Sequence, residues 1–333
     1  MLKADIDNLQ ELILNGDRVA LGKAITLVES NKKADREAAG KLLGYLLKYS
    51  GKSMRIGITG VPGVGKSTFI ETLGDLVTSN GKKLAVLAID PSSPQSKGSI
   101  LGDKTRMSRL ATNPNAFIRP TSAAGNLGGV ANKTLETVLL CEAAGYDVII
   151  IETVGVGQSE VAVKNMTDVF LLLMLAGAGD ELQGIKRGIM EMADLLVINK
   201  ADGDNVAKSH LAKKTYENAI HLFSPRDSGW QLPVLTCSAL TGTGIEAVWH
   251  QINEFYDKLV ENGQLDAIRM HQKKLWLDQT LQAEFMQRLK ENEHIKKLLP
   301  ALEAKVMANE ITPTQAIDQI MGVFLKENSQ AQS

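Results

Sequence analysis

A chain of 333 residues suits one large α/β domain with helical additions, or two domains, and a hydrophobic content of 44% excludes wholesale disorder. Lys and Arg number 37 against 38 Asp and Glu, a net charge of −1, so the broad basic footprint of a nucleic-acid binder is missing. No apolar run reaches the length of a membrane span, no signal-peptide core opens the chain, and the two distant cysteines, Cys141 and Cys237, read as core thiols of a reducing compartment. A cytoplasmic protein with neither nucleic acid nor membrane as partner is expected.

Residues 5–50 read as helices. Leu9, Leu12 and Ile13 mark one apolar face, Asn15-Gly16-Asp17 breaks it, and Leu21, Ile25 and Val28 mark a second. Leu42, Leu43, Leu46 and Leu47 mark a third. From Met54 the pattern changes to short apolar strands, at 55–59, 84–89, 116–118, 148–152, 169–175, 195–199 and 234–236, alternating with amphipathic helices. Strands apolar on both faces that alternate with helices describe a mostly parallel sheet covered on both sides. After Ile245 no strand signal returns, and 265–324 reads as helix interrupted by Pro300 and Pro313. The expected organisation is an N-terminal helical extension (1–50), a nucleotide-binding α/β domain (51–260) and a C-terminal helical region (261–333).

The run Gly60-Val61-Pro62-Gly63-Val64-Gly65-Lys66-Ser67-Thr68 satisfies Gly-x-x-x-x-Gly-Lys-Ser, between an apolar strand and a helix as the motif requires. Its glycines let backbone N–H groups turn inward around phosphate oxygens, Lys66 supplies charge to the β and γ phosphates, and the helix N-terminus adds its dipole. The Ser67 hydroxyl is placed to ligate Mg²⁺. The bare pattern arises by chance in roughly one in a hundred chains of this length, and the strand–loop–helix context makes an ordinary glycine turn a poor alternative.

Asn199-Lys200-Ala201-Asp202 follows another apolar strand, at the edge of the sheet where ligands bind in such folds. A carboxylate at Asp202 accepts from both N1–H and the 2-amino group of guanine, whereas adenine offers it neither donor. Mismatches of this kind discriminate by on the order of 10⁴-fold. Asn199 is expected to tie the base loop to the phosphate loop, and the Lys200 stem to cover the purine face. In Thr236-Cys237-Ser238-Ala239-Leu240, the next strand ends where Ala239 N–H can reach guanine O6. Alone the tetrapeptide is weak, with a chance rate of roughly one in twenty, but three elements in order favour GTP and GDP over ATP.

Asp90 ends the strand after the phosphate-loop helix and Glu152 the next long one, in Ile151-Glu152-Thr153-Val154-Gly155. Either acid can hold Mg²⁺ directly or through water. Glu152 stands where small GTPases usually carry Asp, and Gly155 N–H is expected to face the γ-phosphate. The alternative for both acids is the capping of a following turn. Between them the glycine-punctuated segment 96–106 can fold around the γ-phosphate with Asp103 toward the metal, or be a plain surface loop. A second glycine-rich loop, 176–186, carries Lys186, which on physics alone is as well read as an exposed lysine.

Several long runs resemble the MeaB/ArgK family: Asp90-Pro-Ser-Ser-Pro94, Gly98-Ser-Ile-Leu-Gly-Asp-Lys-Thr-Arg-Met107, the stretch from Cys141 to Glu160, Gly179-Asp-Glu-Leu-Gln-Gly-Ile-Lys186 and Asn199-Lys-Ala-Asp-Gly-Asp-Asn205. The likeness spans most of the chain and is strongest from Gly57 to Asn205. It implies a GTPase chaperone that gates cofactor loading of an adenosylcobalamin-dependent methylmalonyl-CoA mutase, or a related acyl-CoA mutase, and protects it from inactivation. It further implies a homodimer formed through the C-terminal helices, metal-site roles for Asp90, Asp103 and Glu152, and a third switch loop containing Lys186. Lys97 departs from the family pattern, standing where a glycine is expected before Gly98.

Three other readings compete. A nickel- or zinc-inserting GTPase also pairs a phosphate loop with a Glu-type switch, but needs soft or imidazole ligands. Here the cysteines are apart, and His210, His221, His250, His271 and His294 form no cluster in sequence. A metabolic kinase of the formerly proposed arginine/ornithine-transport type would need a phosphoacceptor site that no motif supplies. A nucleotide-gated scaffold would leave hydrolysis incidental.

Overall fold

The computed structural model describes residues 3–90, 107–122, 127–153, 159–177, 187–220 and 229–330. Asp103, Gly155 and Lys186 lie outside the described residues, as does most of each switch segment. The chain divides into two compact units, Met1–Leu275 and Trp276–Ser333.

The first unit opens with three helices, α1 (Lys3–Leu14), α2 (Arg18–Glu29) and α3 (Lys33–Leu46). The Asn15-Gly16-Asp17 break works as the sequence suggests. Gly16 takes φ +77°, and the Asp17 carboxylate caps α2 by accepting from Ala20 N–H at 2.7 Å. There follow β1 (Met54–Gly60), α4 (Lys66–Ser79), β2 (Leu84–Asp90), α5 (Ser108–Thr112), β3 (Ala116–Ser122), α6 (Leu127–Ala143), β4 (Val148–Thr153), α7 (Ser159–Lys164), β5 (Val169–Leu175), α8 (Arg187–Met192), β6 (Leu195–Asn199), α9 (Val206–Ile220), β7 (Val234–Thr236) and α10 (Ile245–Glu261). Helices α2 and α3 pack on α6. Their buried residues Leu21, Ile25, Val28 and Leu42 are the apolar faces read from the sequence.

The sheet has seven strands in the order β3-β2-β4-β1-β5-β6-β7, all pairs parallel. Every residue of β1, β4 and β6 is buried, which is why these strands read as largely apolar runs. Strand β3 runs four residues further than its apolar signal, pairing with β2 as far as Ser122 opposite Asp90. It lies at the sheet edge, the place where Pro120 costs no ladder hydrogen bond. Strand β1 sits between β4 and β5, so the phosphate loop leaves the middle of the sheet with β4 as immediate neighbour.

At the N-terminal ends of the strands, buried charges fix how the chain enters the sheet at β1 and how it leaves toward the C-terminal helices. Arg55 pairs with Glu142 at 2.9 Å, and Glu142 also accepts from Gly51 N–H at 2.7 Å. Helix α11 (Gln264–Glu291) begins in this unit, and its Arg269 grips Asp168 with two donors at 3.0 and 2.7 Å.

The second unit holds the rest of α11, α12 (Glu293–Met307) and α13 (Pro313–Gln330). The break between α11 and α12 falls at Asn292, whose side chain caps α12 by accepting from His294 and Ile295 N–H at 3.0 Å. Pro300 lies inside α12 and the helix continues through it at the cost of one i→i−4 hydrogen bond, with the buried Ile295 and Leu302 holding the turns on either side. Pro313 opens α13, the position where its missing N–H is harmless. Phe285 and Phe324 meet edge to face at 5.5 Å. No helix among the described residues is long and apolar enough to cross a membrane.

Candidate functional site

Strand β1 ends at Gly60 in a place that tolerates no side chain: a Cβ there would lie 2.5 Å from the Leu173 carbonyl oxygen of β5. The loop is held from inside by buried Val61 and Val64, while Pro62 and Gly63 are exposed. Gly63 and Gly65 take φ +75° and +89°, a region that side chains disfavour, and these turns bring the chain directly into α4. Gly65 is the N-cap of α4 and offers no side-chain cap, so the first-turn N–H groups rely on something other than a capping side chain. With the helix dipole behind them they form the kind of concavity that binds an anion.

Lys66, only 8% exposed, folds back so that Nζ donates to the Gly60 carbonyl at 3.0 Å. Burial holds its ammonium below the usual lysine range, opposed by the charges of Glu152 and then Glu160. The Ser67 hydroxyl donates to Glu152 Oε1 at 3.5 Å. Glu152 is the penultimate residue of β4, beside β1 and in register with Ile58, and is buried. A hydroxyl and a carboxylate next to a phosphate-binding loop make a hard-oxygen donor set. That set fits Mg²⁺, which commonly takes one or two protein oxygens and completes its shell with substrate phosphate and water. No group of three or more His, Cys, Asp and Glu able to hold a metal occurs among the described residues. Asp90 closes β2 in register with Ser122, which places its backbone at the same sheet edge.

The second half of the site is built on Asn199 at the end of β6. Its Nδ2 donates to the Val64 carbonyl at 2.8 Å, and its Oδ1 accepts from Ala239 N–H at 3.0 Å and from Cys237 Sγ at 3.6 Å. Asn199 therefore joins the phosphate loop to the loop after β7. The expectation aimed Ala239 N–H at guanine O6, but here that donor is directed to Asn199. Lys200 turns out of the strand with φ +61° and is exposed, and Ala201 N–H donates to the Cys237 carbonyl at 2.9 Å. The Asp202 carboxylate accepts from the Ser238 hydroxyl, whose oxygen in turn accepts from Thr241 N–H at 3.2 Å. A carboxylate has about four acceptor positions, so this bond holds Asp202 in place and leaves capacity for a base edge. Leu240 is 80% exposed beside it, and the loop closes at Gly244, where a Cβ would lie 2.5 Å from the Thr236 carbonyl oxygen.

Residues the sequence did not single out complete the frame. Thr72 Oγ1 on α4 donates to the Ala239 carbonyl at 2.7 Å, which ties the base loop to the helix that follows the phosphate loop. Buried Thr59 and Thr153 join β1 to β4 at 2.8 Å beneath the phosphate loop. Glu160, at the start of α7, is 1% exposed. No nucleotide-binding motif assigns a role to these four; their places come from register and packing.

Residues 21–294 match the family profile described as methylmalonyl Co-A mutase-associated GTPase MeaB. A Mycobacterium tuberculosis (strain ATCC 25618 / H37Rv) protein named as a probable GTPase is 51% identical, over 96% of this chain and 95% of its own. The GTPase ArgK of Escherichia coli K12 is 47% identical over 92% of each chain. The mouse protein named methylmalonic aciduria type A homolog, mitochondrial, is 44% identical over 96% of this chain and 79% of its own. Among solved structures, one titled as a LAO/AO transport system kinase superposes with a TM-score of 0.75 and 38% identity, covering 98% of this chain and 99% of that one.

Proposed function

The chain belongs to the MeaB family of methylmalonyl-CoA-mutase-associated GTPases, and from that premise we propose that it is a chaperone whose GTP hydrolysis gates adenosylcobalamin loading of a methylmalonyl-CoA mutase, or a related acyl-CoA mutase, and protects it. The observation that carries the nucleotide half is Asn199, which bonds the phosphate loop and the base loop with one side chain. The family description and the name of the mouse relative support the client. The kinase reading is not favoured because the relatives are named GTPases, and the nickel- or zinc-insertion reading is not favoured because the family description names a mutase.

In this reading Gly60 to Thr68 cradle the phosphates, and Lys66 exchanges the Gly60 carbonyl for a phosphate oxygen. Asp202, held by Ser238, reads the guanine edge. Ser67 and Glu152 would hold Mg²⁺, with Asp90 and Asp103 as the further acids; the ion supplies charge neutralisation on the β and γ phosphates when bound. Glu152 also orients the attacking water, while Gly155 and Lys186 act from the switch segments. The helical extension 1–50, the GTPase domain 51–260 and a C-terminal region 261–333 that joins two copies are the proposed division of labour.

Hydrolysis without partner should be slow, in the range of about 10⁻⁴ to 10⁻³ s⁻¹ for a GTPase lacking an arginine finger, and faster with the mutase. The test is phosphate release from GTP and from ATP, with and without purified mutase, alongside pull-downs in GDP and in a non-hydrolysable GTP analogue. Equal hydrolysis of both nucleotides, unaltered by any acyl-CoA mutase, would end this reading.

A further inference from the structure

Glu160 belongs to none of the nucleotide motifs, yet it is a carboxylate buried to 1% exposure. Its place follows from the helix it starts. One turn later in α7, Val163 lies over β1 so closely that a Cβ on Gly57 would meet Val163 Cγ1 at 2.8 Å. The chain then continues to Asp168, whose N–H donates to the Arg55 carbonyl at 2.8 Å. It thus runs from Gly57 back toward the start of β1, and the residue three before Val163 lies in the opposite direction. A helix rises about 4.5 Å over three residues and a strand about 3.3 Å per residue, which carries Glu160 past the level of Ile58 toward Thr59, on the side of the phosphate loop.

The side of the sheet follows too. Gly57 and Thr59 share one face of β1, where α7 lies, and Thr59 bonds Thr153 of β4 at 2.8 Å. Ile58 points to the other face together with its register partner Glu152, which meets Ser67 of α4. Lys66 Nζ, on the Gly60 carbonyl, sits at the strand end between them. Two buried carboxylates on opposite faces of the sheet therefore flank one phosphate-binding lysine, and both act electrostatically on it.

We propose that Glu160 is a positioning residue that acts through Lys66 as its counter-charge, competing with the nucleotide phosphates for that lysine and so setting how readily nucleotide leaves. This rests on the guanine-nucleotide reading above. The physical reason is linkage: a buried carboxylate stabilises the ammonium in the form without nucleotide, and opposes a polyanion brought to the same place. Removing its charge penalises the nucleotide-free form and relieves repulsion in the bound form, and both effects tighten binding.

The test is Glu160→Gln in the full chain, with GDP affinity and dissociation rate measured by a fluorescent GDP analogue in Mg²⁺. Couplings between close, partly buried charges are large enough to expect tightening of on the order of tenfold, mostly as slower dissociation. A side chain that merely packs α7 would loosen nucleotide when neutralised, so equal or weaker affinity overturns the proposal. Should the Gln variant fail to fold, Glu160→Asp serves. It keeps the charge one methylene further from the lysine, and should tighten GDP about two- to threefold; no change or weakening there is equally fatal. A wild-type chain that binds no guanine nucleotide would instead defeat the underlying reading, so the two failures are distinguishable.

Discussion

Asn199 Nδ2 donates to the Val64 carbonyl oxygen at 2.8 Å across 135 residues of chain, so the loop for phosphate and the loop for base cannot move independently. The same side chain accepts from Ala239 N–H at 3.0 Å and is 1% exposed.

Asn199→Ala removes a donor and an acceptor at once and strands the Val64 carbonyl and the Ala239 N–H in a buried place. Each orphaned group costs about 1–3 kcal/mol. For a unit of this size that corresponds to a fall in Tm of about 5 °C or more, visible by scanning calorimetry. GDP affinity should drop at least about tenfold, because the base loop loses its tie to the phosphate loop. A variant with wild-type Tm and affinity would show that Thr72, which holds the Ala239 carbonyl from α4, suffices alone.

Asp202→Asn tests base recognition without disturbing size. The Ser238 hydroxyl keeps an acceptor in the amide oxygen, so the fold should be unaffected. The amide oxygen can still accept from N1–H, but an amide N–H now opposes the guanine 2-amino group, and GTP affinity should fall on the order of 10²- to 10⁴-fold. Xanthine carries a carbonyl where guanine carries its 2-amino group, so xanthosine triphosphate should recover much of the lost affinity. Competition titrations of the two nucleotides against a fluorescent GDP analogue decide it.

What could be read in advance divides by distance in the chain. Strands β1, β4, β5 and β6 were legible because burial on both faces leaves largely apolar runs. Gly60, Gly65 and Lys66 were legible because one loop supplies all their chemistry. The edge strand β3 was read short, since the edge asks less of its sequence and tolerates Pro120. Glu160 closes a run that resembles the family, but its role was not legible because its place depends on how α7 crosses β1, which no local pattern encodes. The ion pair of Arg269 with Asp168 joins residues 101 apart, and a lone Arg on an amphipathic helix looks like any solvated one.

That ion pair carries the third prediction. Arg269 also donates to the carbonyls of Gly51 and Ser53, at 2.5 and 2.6 Å, so one guanidinium gathers the approach to β1, the start of β5 and the start of α11. The Asp168 side chain is fully buried, and its charge raises the guanidinium above the ordinary arginine range, against the opposing effect of burial. Arg269→Met leaves the carboxylate with Arg55 N–H as a partner but without its counter-charge. Breaking such a pair from one side costs about 3–5 kcal/mol. The Tm should fall by about 6–15 °C, and the double variant with Asp168→Asn should recover part of it, since the amide no longer needs a cation. Nucleotide specificity, set at the C-terminal ends of the strands, should be unchanged in the folded fraction.

The last prediction concerns the thiols. Cys237 lies under the base loop with its Sγ donating to Asn199 Oδ1 at 3.6 Å, and burial pushes its pKa from 9.0 to about 12. Cys141 is buried in the same sense, and its thiol is raised further still. Both should resist a thiol reagent at pH 8 until denaturant is added, because the thiolate is the reactive form. The sign of the pH effect follows from proton binding. The native thiol holds its proton more tightly than the unfolded one, so its contribution to stability is complete below pH 9. From there the unfolded chain loses the proton first, and stability falls as pH rises toward 12. Each such thiol adds a slope of about 1.4 kcal/mol per pH unit within that window. Cys237→Ser keeps a donor for Asn199 but does not titrate there. Urea unfolding at pH 8, 9.5 and 10.5 should therefore show the variant losing stability less steeply than wild type by about that slope. Parallel curves would mean that Cys237 reaches solvent, and that the base loop over it opens far more readily than its hydrogen bonds suggest.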